Sequence, residues 1–344
     1  MKILYSICFV LIIFTLSGQT SPKIKIEVKN SKTFNLSEIA EQIQPVGLEI
    51  TSENQFNHIV DVLWTNTYLF VHAIEIADAN PISKVMQFDQ SGKFIRIILI
   101  IEGEKLRKIF CDSIKKQIFI QYGGDLQCYD FDGKLINTYK IDKFPDLYTD
   151  GIFWTSHIQF LKDITSYSLI SLNIQTAKED TLFNFVEKNN FDLIARIASF
   201  SLRNNKPVVS FGLDNKIYQV EGKKVVPIVN FTISEPARKE GLDIYGYQFQ
   251  GFIGNYLCIH FMRKEQYYLY LQNQRTGKEF LTKFTFTSGG INDDMLATGL
   301  CKINYLNRSG YFYFVKKREE LSDSKLNITD EKQSHFIFFV KLKQ

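Results

Sequence analysis

A short turn built around a Gly-Lys pair recurs along the chain and limits the available folds more than any other feature. Its five copies place the turn residue at Gly92, Gly133, Ala177, Gly222 and Gly277, each followed directly by Lys. Successive copies are 41, 44, 45 and 55 residues apart, which is the spacing of four-stranded propeller blades. Gly adopts the positive φ that a tight hairpin turn requires without steric cost. The repeat therefore predicts a β-propeller in which each copy joins the third and fourth strands of a blade.

Alternating β-branched and aromatic residues predict the remaining strands. In the first repeat they are residues 59–64, 68–72, 84–89 and 94–100, and in the second 108–111, 117–121, 126–131 and 135–141. The third, fourth and fifth repeats cover residues 151–185, 194–231 and 246–286. One short amphipathic helical turn is predicted over residues 36–43, with Asn35 or Ser37 as its cap.

A sixth blade is predicted from the two ends of the chain. Residues 296–305, 311–315 and 336–342 supply three strands, and residues 23–28 supply the fourth. In this arrangement Ile24 and Ile26 lie beside Phe338 and Val340, which closes the ring and protects its edges. The expected fold is all-β: a six-bladed propeller of four-stranded antiparallel blades, formed as one domain by residues 20–344.

The N-terminus has the order of a secretory signal peptide, with Lys2, an apolar stretch over residues 3–16, and small or polar residues after it. We expect residues 1–19 to be removed and the mature chain to be exported to the periplasm or the extracellular space. Cys8 lies inside the apolar stretch without a small residue directly before it, which disfavours a lipoprotein. Because no second stretch approaches spanning length, a soluble protein without a transmembrane segment is expected.

Composition excludes some functions. The formal net charge is only +4 and is not clustered on any segment, so nucleic-acid binding is not expected. The mature chain keeps Cys111, Cys128, Cys258 and Cys301, none of them in a CxxC pair. Buried free thiols are favoured over a disulfide between Cys111 and Cys128.

Four segments also resemble a known family. Residues 36–43, 46–49, 59–71 and 88–95 are similar to the exported, NHL-like six-bladed β-propellers common in Bacteroidetes, which mostly lack an assigned function. The resemblance implies the same fold over essentially the whole mature chain. One departure is residues 100–106, where family members usually carry a Gly- and Pro-rich loop ending in Glu-Tyr.

Strand order predicts which end of the propeller is used for binding. The Gly-Lys turns are short, and the longer connections fall on the opposite face, where binding groups usually sit. These connections are residues 73–83, 142–150, 186–193, 232–245, 287–295 and 316–335.

Five residues are candidates for ligand binding: Asp293, Asp294, Trp154, His72 and Tyr247. Ordinary roles compete with each of these, because acidic turn residues often cap turns, aromatic residues often pack between blades, and a lone His is often only hydrogen bonded. Asn292 to Asp294, with Asp61, Asp150 and Asp243, could alternatively supply oxygen ligands to calcium. The main prediction includes no metal site, and the spacing of the His residues matches no zinc motif.

The sequence therefore predicts an exported binding scaffold without catalytic residues or cofactor. Its partner would be a small molecule, a glycan or an envelope protein, and we expect a monomer. Two alternatives stay open: a calcium-dependent hydrolase or lyase with its site in the central channel, and a structural subunit of a cell-envelope complex.

Overall fold

The chain folds into a β-propeller. The structure is a computed structural model and is described for residues 21–77, 80–103, 106–160, 164–188, 198–211, 215–234, 247–263, 266–285 and 289–344. The predicted signal peptide lies outside these residues. No helix among them is long and apolar enough to cross a membrane.

Seven sheets form the blades, numbered here in chain order. Blade 1 contains β4 (His58–Trp64), β5 (Tyr68–Ala77), β6 (Asn80–Asp89) and β7 (Phe94–Glu102). Blade 2 contains β8 (Leu106–Asp112), β9 (Gln117–Tyr122), β10 (Asp125–Asp130) and β11 (Leu135–Lys140). Blade 3 contains β12 (Leu147–Thr149), β13 (Ile152–Phe160), β14 (Ile164–Asn173) and β15 (Lys178–Lys188).

The remaining blades include the strands from the N-terminal part of the chain. Blade 4 contains β16 (Ser199–Arg203), β17 (Lys206–Ser210), β18 (Lys216–Glu221), β19 (Lys224–Ile233) and, on its outer edge, β1 (Lys23–Ile26). Blade 5 contains β20 (Tyr247–Ile253), β21 (Tyr256–Arg263), β22 (Gln266–Asn273) and β23 (Glu279–Phe284). Blade 6 contains β2 (Phe34–Asn35), β24 (Ile291–Asp293) and β25 (Gly299–Cys301). Blade 7 contains β26 (Asn304–Tyr305), β27 (Tyr311–Lys317), β28 (Gln333–Leu342) and β3 (Ala40–Glu49).

The five Gly-Lys turns are confirmed. All five turn residues have positive φ, including Ala177 at 51°. Each lies between the third and fourth strands of its blade, as in the β6–β7 hairpin of blade 1 and the β22–β23 hairpin of blade 5.

The prediction of six blades is wrong, because the described residues form seven. The sequence predicts a single strand over residues 296–305. Instead β25 ends at Cys301 and pairs with β24, and β26 then begins a separate sheet at Asn304. The result is the small, three-stranded blade 6.

The predicted ring closure is also wrong, because it pairs β1 with β28. Ile24 and Ile26 of β1 lie parallel to β19, opposite Phe231 and Ile233. The partner of β28 is β3, in which Ile43 lies opposite Val340. Residues 36–43 accordingly form one short 3₁₀ turn at Leu36–Glu38, capped by Asn35, and then enter β3.

Hydrophobic clusters join neighbouring blades into a ring. Leu63, Phe70 and Val85 of blade 1 pack with Ile109 and Ile118 of blade 2. On the opposite face of blade 1, Val71 and Phe88 pack with Ile337 and Phe339 of blade 7. Blade 6 shares a cluster with blades 5 and 7, which includes Phe34, Ile291 and Cys301. Cys111, Cys128, Cys258 and Cys301 are free thiols in this structure, and all but the partly buried Cys111 are buried.

Candidate functional site

A cavity of about 240 Å³ lies where the first strands of six blades meet. Its walls come from β4, β8, β12, β16, β20 and the β26–β27 connection, and blade 6 contributes no residue to them. Propellers commonly surround such a central channel, and the volume is near the lower end of small-molecule pockets.

Three ionisable side chains from adjacent blades line this cavity, and we call them the polar floor. Asp61 lies on β4, Lys108 on β8, and Asp146 directly before β12. The Lys108 ammonium donates a hydrogen bond to the backbone carbonyl of Asp146. The Asp61 carboxylate accepts hydrogen bonds from the backbone N–H groups of Val62, at 2.9 Å, and Ile109. Backbone groups thus anchor the Asp61 carboxylate and the Lys108 ammonium.

Local irregularities in the sheets position two of these residues. The pairing of β4 with β5 shifts register between Ile59 and Asp61, and that of β8 with β9 shifts between Leu106 and Lys108. A bulge re-aims the side chains that follow it and is common beside functional sites. The first paired residue after the shift is Asp61 in blade 1 and Lys108 in blade 2, and both belong to the polar floor.

Burial dominates the electrostatics of the floor. It raises the pKa of Asp61 to about 6, although the positive charge of Lys108 and the backbone hydrogen bonds act in the opposite direction. Burial also raises the pKa of Asp146 against the charge of Lys108. Both carboxylates are therefore more easily protonated than carboxylates in water, because desolvation disfavours their charged form.

The turns between first and second strands form one mouth of the cavity. Ser113 of blade 2, Gly254 of blade 5 and residues 307–309 of blade 7 line it. A Cβ atom built on Gly254 would lie 2.7 Å from the Cα of Gly310, so the turns of blades 5 and 7 touch directly. This mouth is on the face of the Gly-Lys turns, opposite the face predicted for binding. Of the long connections, residues 142–150 do reach the cavity through Asp146 and Tyr148.

Aromatic side chains complete the wall. Phe200 and Phe252 come from blades 4 and 5, and Tyr305 and Tyr311 come from blade 7. Tyr148 is held in place because its hydroxyl donates to a carboxylate oxygen of Asp112 at 2.6 Å. The cavity can thus offer apolar contact to a ligand body and charged groups to its polar ends.

The two acidic candidates lie in blade 6, away from this cavity. Asp293 is buried, and its carboxylate accepts hydrogen bonds from the N–H groups of Met295 and Leu296 and from the Thr298 hydroxyl. Asp294 accepts hydrogen bonds from the N–H and the hydroxyl of Ser37, at 2.9 and 2.5 Å. These contacts fix the β24–β25 turn and tie the segment before β3 to it.

The other candidates are placed in or between blades. Trp154 packs in the cluster shared by blades 3 and 4, and its indole N–H donates to the Thr149 hydroxyl at 2.8 Å. His72 lies on β5 opposite Asp61 and is only 1% exposed, and burial lowers its pKa to about 4. Tyr247 begins β20, and its side chain lies outside the described residues. None of the four described side chains lines the cavity.

The possible calcium ligands are dispersed. Asp61 belongs to the polar floor, Asp150 occupies the β12–β13 turn, Asn292 to Asp294 lie in or beside β24, and Asp243 lies outside the described residues. In the part of the chain that the structure describes, no three His, Cys, Asp or Glu side chains are grouped as metal ligands would be.

Comparisons with known proteins agree with the fold. No protein-family model and no curated protein matches the sequence. The chain is similar to the crystal structure of a Bacteroides fragilis protein described as exported, with a TM-score of 0.65 and 13% identity over 94% of this chain and 100% of that one. What the two share is the β-propeller fold.

Two further solved structures are less similar to this chain. An acylaminoacyl peptidase from Pyrococcus horikoshii aligns with a TM-score of 0.42 and 10% identity, over 77% of this propeller and 43% of that chain. TolB from Acinetobacter baumannii aligns with a TM-score of 0.41 and 10% identity, over 76% and 60%.

Proposed function

We propose that this protein is an exported β-propeller that binds a small polar molecule in its central cavity without transforming it. Export is supported by the signal-peptide pattern of the sequence and by the similar Bacteroides fragilis protein described as exported. The fold supplies a rigid ring, and the cavity supplies an enclosed space with charged groups converging from several blades.

The observation that carries the proposal is the polar floor. Asp61 and Asp146 are half-buried carboxylates whose charged forms are disfavoured by desolvation, and Lys108 neutralises them only in part. Burying such groups lowers stability, whereas apolar side chains on the first strands would pack the channel at no such cost. Ionisable groups kept in a destabilising position are typical of functional sites.

A thermal-shift screen tests this proposal. The probes are amino acids, monosaccharides and small organic acids at millimolar concentration, and binding to the folded state should raise the melting temperature. Ser309→Trp places a large side chain at the exposed mouth and should abolish the shift. Lys134→Trp, on the Gly-Lys turn of blade 2 away from the cavity, should keep it.

The same experiment separates binding from catalysis. Mass spectrometry should recover the stabilising compound unchanged after prolonged incubation, with or without added calcium. Conversion of the compound would favour the hydrolase or lyase alternative, and a shift that survives Ser309→Trp would place the binding site elsewhere.

A further inference from the structure

Arg308 is the cationic residue of the cavity mouth. It lies in the turn between β26 and β27 of blade 7 and lines the cavity together with Asn307 and Ser309. The side-chain oxygen of Asn307 accepts a hydrogen bond from the backbone N–H of Trp64 at 3.2 Å, which fixes this turn against blade 1. The position of Arg308 is thus set by two blades.

Two aromatic rings hold its guanidinium. The Cζ atom of Arg308 lies 4.3 Å from the ring centroid of Trp64 and 4.7 Å from that of Tyr311. The two rings are nearly perpendicular, at 89°, with centroids 5.4 Å apart. Cation–π contact stabilises a guanidinium over each ring face and restricts its orientation.

Trp64 is itself rigid. It stacks on Phe339 with centroids 4.2 Å apart, and its indole N–H donates to the side-chain oxygen of Gln90 at 2.7 Å. Gln90 in turn donates to the backbone carbonyl of Thr65 at 3.0 Å. The guanidinium therefore rests on a support that has little freedom to move.

Within the described part of the chain, the hydrogen-bonding capacity of this guanidinium is unused. Among the described residues, no carboxylate forms an ion pair with Arg308 and no acceptor receives a hydrogen bond from its side chain. The two neighbouring rings offer no carboxylate or carbonyl acceptor to its N–H donors, and a guanidinium edge matches a carboxylate or a phosphate in bidentate geometry.

The charged side chains deeper in the cavity favour a carboxylate over a phosphate. Asp61 and Asp146 repel negative charge, and Lys108 compensates for only one of them. Like charges within a low-dielectric cavity interact strongly, so a phosphate carrying up to two charges is disfavoured relative to a carboxylate carrying one. The aromatic wall favours an apolar body next to the anion.

We infer that the ligand is a small organic monocarboxylate whose carboxylate is bound by Arg308 on its Trp64–Tyr311 support. This inference rests on the proposed function, since it names the ligand class of the same cavity. The remainder of the ligand would extend past Phe200 and Phe252 toward the polar floor.

Side-chain NMR tests the inference directly. In ¹⁵N-labelled protein, titration with acetate and benzoate should shift the Arg308 Nε–H resonance, and benzoate should bind more tightly because of its ring. Acetamide and benzamide, which lack the charge, should shift it little. Arg308→Gln should weaken benzoate binding by about tenfold or more, as expected for loss of a charge-assisted bidentate contact. Arg308→Lys should fall between wild type and Arg308→Gln.

Arg275→Gln is the matched control, because Arg275 is exposed on the Gly-Lys turn of blade 5 and does not line the cavity. It should leave benzoate binding unchanged. Equal binding of amides and carboxylates, tighter binding of inorganic phosphate, or no shift at Arg308 would each overturn the inference. A neutral probe that stabilises wild type and Arg308→Gln equally, but not Ser309→Trp, would overturn the ligand class while supporting the cavity.

Discussion

The Asp61 carboxylate destabilises the folded protein when it is charged. Its pKa of about 6 exceeds the ordinary value of 3.8, so the folded protein holds a proton that the unfolded chain releases between these two pH values. The stabilising contribution of this proton is complete below about pH 3.8 and is lost as the pH rises to about 6. At neutral pH the charged carboxylate lowers the stability of the fold.

We expect Asp61→Asn to stabilise the protein at neutral pH. The gain should reach up to about 3 kcal/mol above pH 6, which is the free energy of a two-unit pKa shift. It should shrink toward zero as the pH approaches 4. Urea unfolding of both proteins at pH 4, 5, 7 and 8 measures this difference.

Asp89 provides a control of opposite sign. Burial acts to raise the pKa of Asp89, but hydrogen bonds from Ser91 and Lys93 outweigh it and lower the pKa. Its stabilising contribution is present above the ordinary pKa and is lost in acid, so Asp89→Asn should destabilise the protein at pH 7 and less so in acid. If Asp61→Asn were destabilising at every pH, the Asp61 carboxylate would be structural and the proposed role of the floor would fail.

The residues of the polar floor could not be chosen from the sequence alone. The sequence indicates Asp61 only as a possible calcium ligand and Lys108 only as part of a strand. Simple alternation along a strand does not predict which side chains face the channel, because the register shifts before Asp61 and Lys108 reverse that alternation. The available signal was a short pattern at the end of β4, in which a polar residue is followed by two apolar residues and then an aromatic residue. Many strands share this pattern.

At the scale of elements, local features were predictable and pairing partners were not. A Gly-Lys hairpin is specified by its own turn residues, so all five were found. β1 has alternating burial, with Ile24 and Ile26 inward, and that alternation fits the outer edge of any blade. Its true neighbour, β19, is distant in sequence, and nothing within residues 23–26 specifies it. Blade 6 was missed because its strands have only two or three residues.

The contact between the turns of blades 5 and 7 makes a prediction about Gly254. Gly254→Ala should destabilise the protein and widen the mouth, because a Cβ atom there would collide with the backbone of Gly310. The left-handed conformation adds about 1 kcal/mol for a residue other than Gly. Thermal unfolding measures the loss of stability, and the benzoate titration reports the change at the mouth.

Gly222→Ala separates these two effects. Gly222 has φ of +61°, close to the +59° of Gly254, but a Cβ atom there would meet nothing within 4 Å. It should therefore show only the conformational cost. Equal losses in the two variants would mean that the turns of blades 5 and 7 are not in contact.

At the scale of the whole molecule, ring closure depends on pairing between β3 and β28. Gln42 and Lys341 lie directly opposite each other in this pairing and do not belong to the hydrophobic core. Paired Cα atoms on adjacent antiparallel strands are near the distance that a disulfide spans. A Gln42→Cys, Lys341→Cys variant should therefore form a disulfide that closes the ring covalently.

The expected result is one new disulfide, detected by thiol counting and by faster migration without reductant, together with a higher melting temperature. The matched control is Lys25→Cys with Lys341→Cys, because β1 lies on blade 4 instead of blade 7. It should keep both thiols free. A disulfide in the control and none in the test pair would reverse the assignment of β1 and β3.

Joining β3 to β28 has a consequence for biogenesis. During synthesis β3 emerges early, yet its partner consists of residues 333–342, more than 280 residues further along the chain. Pairing at such sequence separation carries a large loop-closure entropy and is slow. Until then β3 has an unpaired edge and blade 1 has an uncovered apolar face. The folding chain is therefore exposed to aggregation until residues 333–342 are available to pair with β3.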